Sequence, residues 1–440
     1  MKKEKWLKVL VLVVVLGIAI YGSYAMFQGG KTYIKIEDDF DKLGNAVIST
    51  SLLKSYEINE ELKLELVSLK EQELEGMPSS ENIKSLFEGL KVNFKAIKSQ
   101  DNKYNFIYDF MLDNASFVKL NVYADGDMIV IDIPELYSKK MYVKYTDINK
   151  ILKRIDPNIK EEINIKDYIE LFDYENMGKL KEIDGMSYYK LLKSKLKDGF
   201  VNKEKGNVEV IENGKSKSYY CDNYELTLNQ KQILETYKEV FTKLISDEKV
   251  KVFAKDKMNE IFDVLVKTGD YKLLDKTSEE ITKDKEEFNK NYDKNYEEFI
   301  KGIDEDYQKM LTELNTQILD ENEIKYNFAV DGDNNIRKIS NEQVMKTDEI
   351  TLKILVAATT SSPNKNIKIV VPDLKDAVNL AEFTDEQYKE MATQMAMNIS
   401  GSALKSPSIQ KVFIPLMNAQ QQQYTEEVSP IELPDEVIAE

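Results

Sequence analysis

The residue types that carry most enzymatic chemistry are scarce in this 440-residue chain, which has no histidine and one cysteine, Cys221. Ser-His-Asp and Cys-His catalysis need a histidine, and zinc or non-haem iron sites usually need histidines or several cysteines. A single thiol also excludes an intrachain disulfide. We therefore expect Cys221 to be an ordinary strand residue, and we assign no catalytic, cofactor-binding or metal-binding residue.

One acidic motif has the spacing of a metal-ligand set. Asp331, Asp333 and Asn335 match the D-x-D-x-N start of a calcium loop. The sixth position of such a loop requires glycine, and this chain has Ile336 there. Asp331-Gly332 lies between two strand-like segments, so a hairpin turn explains the motif without a metal. We predict a turn at this place and no metal site.

Other catalytic signatures are missing from the sequence. Neither G-x-G-x-x-G nor G-x-x-x-x-G-K-[ST] occurs, so nothing predicts a nucleotide phosphate site. Among 78 acidic residues, sequence alone selects no carboxylate pair for glycoside hydrolysis. We therefore expect a protein that is not an enzyme, and a hydrolase that uses only carboxylates is the weaker alternative.

Composition restricts the partners. The formal net charge is −17, and such an acidic surface repels phosphate backbones, so we expect no nucleic acid partner. Only Arg154 and Arg337 are arginines, although arginine is the residue best suited to bidentate capture of carboxylate or phosphate. Abundant Lys, Ile, Asn and Tyr are typical of a bacterium with an AT-rich genome.

The element that positions the rest of the chain is an apolar stretch near the amino terminus. Residues 9–27 carry no charge, and as a helix they would be roughly 28 Å long, close to the ~30 Å hydrocarbon core of a bilayer. Four lysines precede the stretch, and acidic residues follow from Glu37. The lysine excess predicts a single-pass anchor in the cell membrane, with residues 1–8 cytoplasmic and the carboxyl-terminal domain extracellular.

A cleaved signal peptide is the alternative for the same stretch. Residues 9–20 would form its apolar region, and Ser23-Tyr24-Ala25 has the small-x-small pattern of a cleavage site. No cysteine directly follows the stretch, which excludes a lipid-modified amino terminus. A buried core helix is disfavoured because the stretch has no polar face.

Beyond the anchor, the periodicities predict an α+β ectodomain, in which a curved antiparallel sheet packs with amphipathic helices. Turns are expected at Asp125-Gly126 and Asn213-Gly214. Capping boxes predict helix starts at Thr227, Thr277 and Thr384. The strand patterns cover 56–70, 91–145, 207–228 and 323–374.

These patterns divide the chain into segments of different composition. The predicted boundaries are a cytoplasmic region at 1–8, the anchor at 9–27, a tether at 28–37, a first α+β half at 38–200, a second half at 201–400 with a helical insert at 229–316, and a disordered acidic tail at 401–440.

Two segments suggest that the halves are related. MIVIDIPELY at 128–137 and NIKIVVPDLK at 366–375 share the order strand, proline, acid and leucine, and each follows a D-G-D turn. On these motifs the pattern over 35–400 resembles membrane-anchored exported proteins of Gram-positive bacteria with the lipoprotein-carrier (LolA/LppX-like) half-barrel. The resemblance implies a curved sheet that wraps helices, with an apolar ligand between the layers. The insert at 229–316 departs from that type.

The sequence therefore predicts a location more sharply than a reaction. We expect a membrane-tethered exported protein that binds an apolar ligand or an envelope protein partner, with the lipid bilayer as its partner through residues 9–27. A structural or assembly subunit of an envelope complex is the alternative. No cofactor is expected.

Overall fold

The computed structural model describes residues 34–70, 78–155, 165–171, 182–212, 214–274, 276–313, 322–347 and 349–415. The predicted anchor at 9–27 and most of the predicted tether lie outside these ranges. Within them, no helix combines the length and the apolar character that crossing a membrane requires.

Twelve strands form one large curved sheet in the part of the chain that the structure describes. The order is β12-β6-β5-β4-β3-β2-β1-β11-β10-β9-β8-β7, and neighbours are antiparallel except β12 and β6. The strands are β1 Tyr56–Leu69, β2 Leu90–Lys98, β3 Tyr104–Leu112, β4 Ala115–Ala124, β5 Met128–Asp132, β6 Met141–Lys144, β7 Phe200–Glu212, β8 Lys215–Asn229, β9 Glu323–Val330, β10 Ile336–Lys346, β11 Ile350–Ser361 and β12 Val378–Asn379.

The sheet confirms the predicted α+β class and most of the predicted strands. Strands β1–β6 form one block, β7–β11 form another, and β1 pairs with β11 where they meet. The strand expected at 366–374 is wrong, because this segment has no strand structure and Val370 is 85% exposed. Of the two segments with the shared sequence pattern, 128–137 contains strand β5, whereas 366–375 contains no strand.

Helices cover part of the sheet and build a second layer. They are α1 Asp39–Ser51, α2 Ser80–Gly89, α3 Ile148–Ile155, α4 Ile165–Glu170, α5 Gly185–Leu196, α6 Gln230–Ile245, α7 Glu248–Thr268, α8 Ser278–Glu313, α9 Asp385–Ala403 and α10 407–415. Helix α2 is not among the predicted elements. Ser79 caps it by accepting a hydrogen bond from the backbone N–H of Asn82.

The helical layer has its own core, formed mainly by α7 and the first half of α8. Apolar residues recur at helical spacing on both helices and meet in one buried cluster. An aromatic series runs along the contact, and the hydroxyls of Tyr292 and Tyr296 donate to the backbone carbonyls of Lys251 and Ile245. The long helix α8 is therefore the second arm of a helical hairpin.

Helix α1 ties this layer to the β8–β10 part of the sheet. Leu43 and Ala46 pack with Tyr224, Val330 and Ile336 in a buried cluster. At the start of α1, the buried carboxylate of Asp41 accepts hydrogen bonds from the Tyr189 hydroxyl and the Lys193 ammonium of α5, both at 2.6 Å.

The end of the predicted tether belongs to this packed region. The Asn45 side chain accepts a hydrogen bond from the backbone N–H of Ile34 at 2.8 Å and donates one to its carbonyl at 2.9 Å. Ile34 is buried. The packed domain therefore includes Ile34.

Two of the three predicted capping boxes are confirmed. Thr277 with Glu280 begins α8, and Thr384 with Gln387 begins α9. The box expected at Thr227 is wrong, because β8 continues to Asn229 and pairs with β9 as far as Glu323. The helix therefore starts two residues later, with Asn229 and Gln232 as its capping box.

The two predicted hairpins are present, and their turns differ in mechanism. Gly214 has the positive φ, +72°, that a tight turn of this kind requires; its neighbour Asn213 lies outside the described residues. Gly126 does not have a positive φ. At that turn the Asp125 carboxylate accepts from the backbone N–H groups of Asp127 and Met128, so a side-chain-stabilised turn replaces the expected one.

The carboxyl-terminal segment is helical where we predicted a disordered tail. Helix α9 runs through Gly401, and α10 begins after Ser406, whose hydroxyl accepts from the backbone N–H of Ile409, with Pro407 at its first position. Residues 416–440, the remainder of the predicted tail, lie outside the described residues.

Asp113 attaches α10 to the β3–β4 turn. Its carboxylate accepts hydrogen bonds from the hydroxyls of Ser406 and Ser408 and from the backbone N–H of Ser408. An acidic group at a helix amino terminus is also favourable for the helix dipole.

We expect Asp113→Asn to loosen α10 selectively. Asparagine tolerates the positive φ of this position, +52°, so the change removes the charge without adding backbone strain. Hydrogen bonds to a charged group contribute about 1.5–3 kcal/mol, so amide hydrogen exchange in 407–415 should become at least tenfold faster. Asp109→Asn is the control, since Asp109 accepts from Ser116 on the neighbouring strand. Equal exchange rates in both variants would contradict the role of Asp113.

Candidate functional site

The acidic motif at 331–335 forms the β9–β10 turn and is occupied by protein donors. The Asp331 carboxylate accepts from the backbone N–H groups of Asp333 and Asn335, from the Asn335 side chain, and from Arg337 at 2.6 Å. Its oxygens therefore serve the turn. Among the residues that the structure describes, no cluster of three or more acidic or cysteine side chains could hold a metal.

Arg337 extends this turn into a buried ionic cluster. Its guanidinium lies 3.6 Å from the carboxylate of Glu212 and 3.8 Å from the centre of the Tyr219 ring. Glu212 accepts further hydrogen bonds from Lys217 at 2.6 Å and from Lys365 at 2.9 Å. The Glu212 side chain is fully buried.

The cluster holds the end of the β7–β8 hairpin over the rest of the sheet. Glu212 and Tyr219 belong to the hairpin, Arg337 to β10, and the backbone N–H of Ser362 after β11 also donates to Glu212. Both oxygens of Glu212 accept from residues outside the hairpin, the backbone N–H of Ser362 and the Lys365 ammonium, so the geometry is that of a structural latch. Sequence analysis singled out Asp331 and Arg337 but could not place Glu212 beside them.

Glu212 makes stability depend on pH. Burial raises its pKa, but hydrogen bonds from Lys217, Tyr219, Lys365 and Ser362 outweigh burial and hold the pKa well below 4.5, its usual value. A lowered pKa contributes stability above the unfolded-state pKa, and that contribution is lost as the pH falls.

We expect the urea midpoint of the full-length protein in non-ionic detergent to drop between pH 6 and pH 3. The Glu212→Gln variant should be less stable at pH 6 and should show a smaller further drop, because it has no carboxylate to protonate at this position. Glu204→Gln on the same strand is the control, since Glu204 is exposed, and it should follow the wild type. Parallel pH profiles for wild type and Glu212→Gln would contradict the prediction.

Cys221 is buried in the same part of the sheet. Its thiol donates to the backbone carbonyl of Tyr219 at 3.5 Å, and burial raises the pKa of the thiol to about 11. A nucleophilic cysteine needs a lowered pKa. The structure thus places Cys221 as a strand residue, as its isolation in the sequence indicated.

The carboxylates of Glu61 and Asp109 lie on one face of the sheet, two strands apart. Burial raises the pKa of Glu61, but Lys63 and Lys91 outweigh burial and lower it. Glycoside hydrolysis needs one carboxylic acid with a raised pKa. Glu61 is therefore not suited to be the acid of a carboxylate-only hydrolase.

A row of apolar side chains outside the buried cores forms an aromatic surface on β2 and β3. Tyr104, Phe106, Tyr108 and Phe110 alternate along β3 and so share one face, and the register places Phe94 of β2 opposite Tyr108. The rings of Phe94 and Tyr108 are 4.6 Å apart. Four of the five are half-buried, and Phe110 is 40% exposed.

Neighbouring strands continue this surface with aliphatic residues. The register brings side chains of β4, β1, β11 and β10 onto the same face, and these are also only half-buried: Leu120, Val122, Leu62, Leu64, Val356, Ile354 and Ile339. We call this area, with the five aromatic residues, the apolar face.

Helix α9 packs loosely next to β4, the strand that borders the aromatic residues of β3. Asn398 donates to the carbonyl of Leu136 at 2.9 Å. None of the α9 residues is fully buried, and Met391 and Met395 are half-buried. Their flexible thioether side chains suit a contact surface of variable shape.

The sequence contained a usable signal for this face. The segment YNFIYDFML has an aromatic residue at every second position, and we read it only as a strand. What the sequence does not show is that the face stays partly exposed, because this depends on where α9 packs.

In comparisons with protein-family models, curated proteins and solved structures, none matches this chain.

Proposed function

We propose that this protein is a single-pass, membrane-tethered exported protein that binds an apolar ligand, an acyl chain of a lipid, on the apolar face. The role is one of binding, without catalysis. The ligand would lie between the sheet and α9.

The half-burial of the apolar face carries this proposal. Packed cores elsewhere bury comparable side chains almost completely, such as Phe262 and Phe288 in the helical layer. Burial of a Phe or Leu side chain is favourable by about 1.5–3 kcal/mol, so a continuous aromatic face that remains partly exposed leaves much of this free energy for a ligand. An acyl chain has the length and chemistry to cover a row of such side chains.

The predicted anchor supports a lipid as the ligand. Six residues lie between the end of the apolar stretch, residue 27, and Ile34, and the seven Cα steps across them span at most about 25 Å. The ectodomain would therefore be held next to the outer lipid leaflet. The resemblance to lipoprotein-carrier half-barrels leads to the same ligand class, since these proteins hold lipid against a curved sheet.

Native mass spectrometry of the full-length protein tests the proposal. We expect protein transferred from membranes into an amphipathic polymer to retain one or two lipid masses after detergent-free washing. A protein that shows no lipid mass, while a known lipid carrier treated identically retains its lipid, would contradict it.

An assembly role in an envelope complex is the second candidate. Large apolar side chains are exposed on α9, on α10 and on the short connection between them, namely Met397, Ile399, Leu404, Phe413 and Ile414. Clustered exposed apolar residues often mark protein interfaces. Crosslinking in cells that yields only monomer would argue against this role.

A further inference from the structure

The opposite face of the sheet has a different chemistry and carries a depression of about 480 Å³. It crosses five adjacent strands, β11, β1, β2, β3 and β4. The polar side chains that line this depression alternate along the strands with those of the apolar face, and they therefore project to the other side of the sheet. They are Asn59, Glu61, Asn93, Lys95, Asp109 and Lys119.

We propose that this depression is a binding site for a neutral glycan chain. Apart from Glu60 and Phe94 at the rim, whose side chains alternate to the apolar face, the lining residues lie on the other side of the sheet. The proposal therefore does not depend on the acyl-chain function.

Charge is the first argument. On this face the depression carries Glu61, Asp109, Lys95 and Lys119, and Glu57, Lys63 and Lys91 beside it pair with Lys95 and Glu61, so acidic and basic groups nearly balance. A locally neutral area on a chain of net charge −17 attracts neither anions nor cations from a distance. It nevertheless offers carboxylate acceptors, ammonium donors and amides that do both, and this mixture matches the hydroxyl groups of a sugar.

The second argument is that Lys119 and Asn93 are open to a ligand. Glu61, Lys95 and Asp109 already have protein partners beside the depression, namely Lys63 and Lys91, Glu57, and Ser116. Among the described residues, no carboxylate lies within 4 Å of the Lys119 ammonium, although Asp109 is its neighbour in register. The Asn93 side chain donates to the Met111 sulfur at 2.9 Å, a weak acceptor that a ligand hydroxyl would replace. Thr359, at the rim, adds a hydroxyl group.

The geometry is the third argument. Ala357, Glu61, Asn93, Asp109 and Lys119 form one row across the strands. Adjacent strands lie about 4.8 Å apart, close to the length that one pyranose unit adds to an extended glycan. Ile107 and Ala357 provide small apolar areas for the C–H faces of the rings.

A peptide fits this place less well. Strands β11, β1, β2 and β3, which form most of the depression, pair with neighbours on both sides, so they offer no free edge to an added strand. Only β4 is partly open, because it pairs with β5 from Asn121 onward. Recognition must therefore come from side chains, which favours a ligand that carries hydrogen-bonding groups along its whole length.

Saturation-transfer NMR on the full-length protein in non-ionic detergent tests the proposal, with cellohexaose and chitohexaose as probes. We expect transfer to at least one probe, with an affinity that does not change with salt concentration. Hexagalacturonate, the anionic counterpart, should bind at least tenfold more weakly. The absence of transfer to both neutral probes, or equal binding of hexagalacturonate, would overturn the proposal.

Two variants locate the site. The double variant Asn59→Ala, Asn93→Ala should weaken binding at least tenfold. Asn327→Ala is the matched control, because Asn327 is a half-buried asparagine on the same face, on β9 outside the depression, and it should change the affinity less than twofold. Unfolding midpoints of both variants check that the fold is kept. Equal affinities for the folded double variant and the control would show that the glycan binds elsewhere.

Discussion

Replacing Arg337 with methionine is expected to destabilise the protein by about 3–5 kcal/mol, as loss of one partner from a buried ion pair typically does. The change keeps much of the side-chain volume and removes the only guanidinium at the latch. Asp331 loses its 2.6 Å partner, and the fully buried carboxylate of Glu212 loses the charge 3.6 Å away. Both carboxylates then remain buried with less compensation.

The chain contains a matched control for this variant. Arg154, the other arginine, donates to the backbone carbonyls of Leu380 and Ala381 at 3.3 and 3.1 Å. Its removal leaves no buried charge uncompensated, so Arg154→Met should cost at most about 2 kcal/mol. Urea midpoints of the two full-length variants give the comparison. If Arg154→Met costs as much as Arg337→Met, the latch does not have the stabilising role assigned to it.

A second substitution separates charge from packing at the latch. If Arg337→Met destabilises because Asp331 is left uncompensated, adding Asp331→Asn should recover part of the loss. The asparagine can still accept the hydrogen bonds of the turn and carries no charge. A double variant that is less stable than Arg337→Met would mean that the guanidinium acts mainly through its contact with the Tyr219 ring.

The second large effect is expected at the apolar face. The double variant Phe94→Ser, Tyr108→Ser removes the closest aromatic pair on this face, whose rings lie 4.6 Å apart. Loss of this contact should weaken acyl-chain binding at least tenfold, or about 1.4 kcal/mol. The yield of crosslinking to a photoactivatable fatty acid, normalised to protein, measures the change in cells.

Phe413→Ser is the control for aromatic loss. Phe413 is 52% exposed on α10 and lies outside the apolar face. Its substitution should leave the crosslinking yield unchanged. The thermal midpoint of each variant shows whether the fold is intact. A folded double variant that crosslinks as efficiently as wild type would contradict the assignment of the apolar face.

Local periodicity predicted the elements of the fold well, since period two and period 3.6 reflect which side of each segment is buried. The leucines of β1 and the apolar stripes of α7 and α8 are examples. The segment 366–374 alternates in the same way, yet it forms no strand. After β11 the chain turns through Ser362 and Asn364, both with positive φ, and Asn364 binds the backbone at Lys54 and Ser55. These contacts direct the segment away from a free strand edge.

The candidate sites were harder to foresee because they depend on contacts between distant segments. Glu212 and Arg337 are 125 positions apart in the sequence, and only the curled β7–β8 hairpin brings them together. Likewise, Asn59 and Lys119 line the same depression only because the strand order places β1 and β4 near each other. Helix α2, in contrast to these sites, could have been predicted from the sequence, because Ile83, Leu86 and Phe87 have helical spacing.

Mapping the sites of photoactivatable fatty acid crosslinks by mass spectrometry, on the wild-type protein in living cells, tests the proposed function most directly. The account predicts crosslinked peptides from 90–124 and from the facing helix α9, in addition to any from the anchor at 9–27. Crosslinks confined to 9–27, with none in the ectodomain, would contradict acyl-chain binding on the apolar face.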